Sequence, residues 1–157
     1  MSQDNLDLEA LAQQLHHDGI AFGTDNLANW GIEESLLNAV NAVTDEGFPQ
    51  LGVVVVEGAD LHGAQLRDLA QDLNLQTGID TVIVRSPHAV AAVSDTLTRG
   101  EIEAGQEAML AQPDYAAGLE GFASASQGLE ISWGVVFVCL LLVTVTVAVF
   151  TALFVKR

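Results

Sequence analysis

The sequence predicts an α/β protein: a small βαβ-containing domain with parallel strands covered by helices, plus one C-terminal transmembrane helix. Three observations predict it. Two short β-branched runs, Leu51-Gly-Val-Val-Val-Val56 and Thr81-Val-Ile-Val-Arg85, bracket a helical stripe. Apolar residues recur at helical spacing on both sides of that unit. From Ile131 to Val155, 25 residues pass without a formal charge.

The elements follow in order. Leu8, Leu11, Ala12 and Leu15 share one face, so Asp7–Asp18 is predicted to be an amphipathic helix stopped by Gly19. A second helix is expected from Asn26 to Val43, with Ile32, Leu36, Ala39, Val40 and Val43 as its stripe and Gly47 and Pro49 beyond its end. Leu51–Val56 has no polar alternation, which marks a strand buried on both faces. After the turn GADLHG, Leu66, Leu69, Ala70 and Leu73 form the helix of the βαβ unit, and Thr81–Arg85 is its second strand. Such a unit pairs its strands in parallel through a right-handed crossover. Gly19–Gly23, GIAFG, is the candidate third strand that a stable sheet requires.

Ser86-Pro87 reads as a helix start, Ser at the N-cap and Pro in the first turn, with Ala89–Leu97 as the body. Thr98-Arg-Gly-Glu101 is a capping box opening a helix over Glu101–Gln112. Asp114–Phe122 is expected to be a last helix and Ala123–Gly128, ASASQG, a flexible stretch. The organisation is thus a domain over residues 1–122, a linker over 123–130, a membrane helix over 131–155 and a basic tail over 156–157.

As a helix the uncharged run is about 37 Å long, enough to cross a hydrocarbon core of about 30 Å once with some tilt. Trp133 suits the headgroup level, and Lys156 and Arg157 close the chain. No other Lys or Arg follows Arg99, so the positive-inside rule places the C-terminus in the cytoplasm and the domain outside. The opening MSQDNLDLEALAQQ has no signal-peptide pattern, so export would rest on the span itself; the alternative is a tail-anchored domain in the cytoplasm. Thr144, Ala148 and Ala152 recur every four residues, a small-residue ridge on which a homodimer could form. Cys139, within the span, reads as a small apolar residue.

Charge is segregated. The whole chain carries 21 acids against 5 Lys and Arg, a net charge of −16. Residues 1–130 hold all the acids but only Arg67, Arg85 and Arg99, a net −18, and the tail adds +2. A domain of this sign excludes nucleic-acid binding by phosphate neutralisation and is expected to prefer basic partners or cations, while anionic lipid repels it. A single cysteine excludes an internal disulfide and a Cys-based zinc site.

Candidate chemistry lies where open α/β sheets bind ligands, beyond the carboxyl ends of the strands. The first strand is followed by Glu57, Asp60 and His62, the second by Arg85, Ser86 and His88. Glu57, Asp60, His62 and His88 together could hold a divalent cation and support metal-dependent hydrolysis. Ser86 beside His88 resembles a nucleophile and base, but Ser86 is equally an N-cap. His16-His17 ends a helix, where protonated imidazoles suit the dipole.

The segments Thr81-Val-Ile-Val-Arg-Ser-Pro87, Ser94-Asp-Thr-Leu-Thr-Arg99 and Glu101-Ile-Glu-Ala-Gly-Gln106, with Asp7-Leu-Glu-Ala-Leu11 and Asp18-Gly19, resemble a family of single-pass membrane proteins of mycobacteria and corynebacteria. That resemblance covers essentially the whole chain. It implies genes lying beside peptidoglycan endopeptidases of the NlpC class, and hence an envelope interaction module that assists or regulates cell-wall enzymes. The layout of the domain is also similar to a TPM-type module, some of which are phosphatases or cation binders. The aspartate and glycine-rich strand end typical of TPM domains are not evident in this sequence, so no catalytic residue carries over.

Overall fold

The computed structural model describes residues 6–24, 29–57, 61–128, 141, 142 and 144. Helix α1, Leu8–Asp18, starts where the Asp7 side chain accepts from the Ala10 N–H (3.1 Å) and ends at Gly19, whose φ of 80° suits only glycine at low cost. Strand β1 is Ile20–Phe22, inside the GIAFG segment. Helix α2 spans Asn29–Asp45; Gly47 at φ 91° lets the Phe48 N–H reach back to the Val43 carbonyl. Then follow β2, Leu51–Val55, α3, Gly63–Thr77, and β3, Thr81–Arg85.

The next element departs from expectation. Ala89–Leu97 is not a helix; Val90–Ser94 is strand β4, antiparallel to β3. The Ser86 N–H donates to the Ala89 carbonyl (2.8 Å), and the Ala89 N–H donates to Ser86 Oγ (3.1 Å). These two bonds fold the chain back through Pro87 and His88, so Ser86 caps a hairpin and not a helix. Pairing then outweighs the helix propensity of the alanines: β4 satisfies the free side of β3, and the Thr81 and Ser94 hydroxyls bond across it at 2.8 Å.

Helix α4, Arg99–Leu110, carries the expected box: Thr98 Oγ1 accepts from the Glu101 N–H, and a Glu101 carboxylate oxygen accepts from the Thr98 N–H. Those bonds hold the Glu101 carboxyl below the usual carboxylate range. Helix α5 is Tyr115–Ser126 with Asp114 at its N-cap. It therefore runs past Phe122 into the stretch expected to be a linker, as far as Ser126. Ala123 and Ser126 are buried, so packing and not composition decides these residues.

The sheet order is β1-β2-β3-β4, with β1, β2 and β3 parallel. One core layer joins α1 and α3 to Ala21, Val54, Val82 and Ala91. The other joins α2, α4 and α5 to Ile20, Val53, Ile83 and Ala92. This is a three-layer α/β/α sandwich. The β1–α2–β2 and β2–α3–β3 connections step the same way along the sheet with helices on opposite faces, so they have opposite hands.

Among the described residues no helix is long and apolar enough to cross a membrane. The predicted span lies outside them except for Leu141, Leu142 and Thr144, which are helical.

Candidate functional site

Parallel register brings Phe22, Val55 and Arg85 to one edge of the sheet. Arg85 is the main feature there. It is 3% exposed although it carries the charge of a guanidinium. Its Nη atoms donate to the carbonyls of Gln112 and Asp114 in the α4–α5 connection. The guanidinium carbon lies 4.5 Å from the centre of the Tyr115 ring, close enough for cation–π attraction. Nε has no partner among the described residues. Gly118 makes this seat, since a Cβ there would fall 2.3 Å from Nη1. Burial lowers the Arg85 pKa, only partly offset by Tyr115 and Asp114.

Tyr115 continues the chain of contacts: its hydroxyl donates to Glu57 Oε1 at 3.0 Å. Burial first, then this bond and the charge of Glu57, push the tyrosine up to about 12 from 10.0, against the lowering influence of Arg85. The folded protein thus keeps the phenolic proton between those pH values while the unfolded chain loses it. Stability should fall as pH rises through that window, and Tyr115→Phe should flatten the fall. Tyr115 is the sole tyrosine, so phenolate absorbance reads it directly. A midpoint at the ordinary tyrosine value would contradict this contact.

Of the residues predicted for a cation site, Glu57, His62 and His88 are described and Asp60 is not. Glu57 faces Tyr115. The His62 N–H donates to Gln65 Oε1 at the start of α3. His88 is exposed in the β3–β4 turn, and Asp60 lies outside the described residues. Among the described residues no three His, Cys, Asp or Glu side chains group as a metal site. Ser86 is buried and its hydroxyl is engaged with Ala89. His17 sits 3.4 Å from Asp18 at the end of α1. Trp133, Ala148, Ala152, Lys156 and Arg157 lie outside the described residues; Thr144 Oγ1 donates to the Leu141 carbonyl, the local bond of a helical threonine. Sequence reasoning listed Arg85 and Glu57 at this edge but missed Tyr115 and Gly118, whose only local signal is that they follow the Asp114 N-cap.

The two outer edges of the sheet differ. On β1 the outward N–H groups are both capped: Ile20 donates to Asp18 Oδ1 (3.1 Å) and Phe22 to Gln14 Oε1 (3.0 Å). On β4, the bonds from Ser86 N–H to the Ala89 carbonyl and from Asp95 N–H to the Asp80 carbonyl set the phase. By alternation Ala89, Ala91, Val93 and Asp95 point their backbone groups at β3, and Val90, Ala92 and Ser94 point theirs outward. This edge floors a groove of about 380 Å³ between α3 and α4. Arg67 and Arg99 line it.

No curated protein and no solved structure matches the chain. One protein-family profile does, and it spans residues 1–157. The chain belongs to the family described as Membrane protein Rv1476, a membrane protein family of mycobacterial origin.

Proposed function

We propose that this membrane protein is an anchored interaction module of the cell envelope, whose acidic α/β domain stands outside the membrane and assists or regulates cell-wall enzymes. The observation that carries the reading is the segregation of charge. A domain of net −18 precedes an uncharged run of 25 residues and a tail of +2. Lipid of anionic surface repels such a domain, so it stands off the bilayer and attracts basic proteins. The positive tail favours a cytoplasmic C-terminus. Membership of a membrane protein family over the whole chain supports the anchor. Helices cover both faces of the sheet, which leaves its edges as places for a partner to engage.

The test is topology. An epitope at the N-terminus of the full chain should be removed by protease added to intact cells, while a cytoplasmic control survives. Cross-linking in the same cells should then recover a cell-wall enzyme. Protection of the epitope until lysis would overturn the extracytoplasmic placement in favour of a cytoplasmic tail-anchored adaptor.

A further inference from the structure

We propose that the open edge of β4 is a strand-addition site for an extended segment of another protein in which apolar and acidic residues alternate. The inference deepens the interaction-module reading by naming a surface: the domain as a whole favours a basic partner, and this groove takes a local segment of that partner whose charge answers Arg67.

An exposed strand edge is a template for another strand, and proteins normally blunt it. This fold does so on one side only. At β1 the side chains of Asp18 and Gln14 take the outward N–H groups. At β4 the outward backbone of Val90, Ala92 and Ser94 has no backbone partner among the described residues. The chain that closes the sheet thus leaves a row of donors and acceptors on the floor of the groove. Backbone bonds of this kind supply affinity in strand addition, and alternate side chains supply specificity.

The walls define those side chains. Toward α4 the groove has an apolar strip, Leu97 and Ile102, which pack with Val90 and Ala92, flanked by Arg99, Glu103 and Gln106. Toward α3 it is lined by Gly63 and Arg67. Arg99, on the α4 side, is already paired with Glu103 at 2.7 Å. Arg67 is exposed and has no ion pair among the described residues. Successive residues of a bound strand point to opposite sides. One set therefore meets Leu97 and Ile102, and the other meets Arg67. The first set must be apolar and the second acidic. Glu103, which also lines the groove, is paired with Arg99, and acids farther than about 10 Å are screened, so a carboxylate is favoured only within reach of Arg67. That requirement makes the groove selective for position as well as sign. A second copy of this chain is disfavoured as occupant because two domains of net −18 repel each other.

The test uses the full chain in detergent micelles and a fluorescent seven-residue peptide of alternating Glu and Val with blocked ends. Anisotropy should show saturable binding. Arg67→Glu lies on an exposed helix face and should weaken it about tenfold or more, with a smaller loss at high salt. N-methylation of alternate amides along the bonding side of the peptide should abolish binding without touching the protein. A peptide of alternating Lys and Val should bind at least about tenfold more weakly. Equal binding by the N-methylated peptide, by the Lys peptide or to Arg67→Glu would overturn the proposal, as would the absence of saturation. A chain dimer that excludes the peptide and is dissolved by Ala92→Pro would show that a second copy occupies the edge, which also overturns it. The assay is blind to topology, so a failure here and a failure of the envelope placement are separate results.

Discussion

Phe122→Ala should destabilise the domain by about 3–5 kcal/mol, the range for removing a large ring from a packed core. Phe122 is fully buried on α5. Its ring meets Phe48 edge-on, with centroids 6.2 Å apart and planes at 71°, a favourable arrangement of ring quadrupoles. It also packs on Gly105 of α4, where a Cβ would lie 2.7 Å from a ring carbon. The ring therefore fills the space that a small residue opens between two helices, and alanine would leave it empty. Stabilities of small domains run to about 5–15 kcal/mol, so this one change removes a large share. Urea unfolding of the full chain in detergent, followed by helical circular dichroism at unchanged slope, would measure it. A loss below about 1 kcal/mol would show that α4 and α5 are not packed through this contact. The same geometry predicts that Gly105→Ala is costly in the native chain and much less so beside Phe122→Ala.

Gly118→Ala should cost about 1–3 kcal/mol, although alanine is the better helix former by about 1 kcal/mol. The added Cβ would sit 2.3 Å from Nη1 of Arg85 and 3.1 Å from the Met109 carbonyl oxygen. The end of an arginine ordinarily swings aside at little cost. Here it is buried and bonded to two carbonyls, so moving it leaves a cation and its acceptors without partners. A double-mutant cycle isolates this term. In an Arg85→Met background the cost of Gly118→Ala should shrink, with a coupling of about 0.5–3 kcal/mol. Strict additivity would mean that Gly118 does not make the seat of Arg85.

Much of the framework was legible because it is encoded by near neighbours. Asp7 and Gly19 bound α1, Thr98 and Glu101 open α4, and the two β-branched runs around α3 pair in parallel. Each rests on a cap, a turn or a periodicity within a few residues. The stretch after Ser86 misled for the same reason. Ser-Pro followed by alanines satisfies helix rules, and nothing nearby reveals that β3 has a side to fill. The end of α5 was misread from small residues that look flexible until burial explains them.

The charge segregation, the uncharged run and the order of the elements from β2 through α3 to β3 are properties of composition and local pattern, and the chain alone determines them. Tertiary structure decided the rest. Arg85 is buried by acceptors 27 and 29 residues away, and Glu57 meets Tyr115 across 58 residues. Which edge of the sheet is capped and which stays open depends on where α1 and the hairpin bring Gln14, Asp18 and β4. Such contacts depend on how distant elements pack, and one-dimensional patterns record only what each residue does with those beside it.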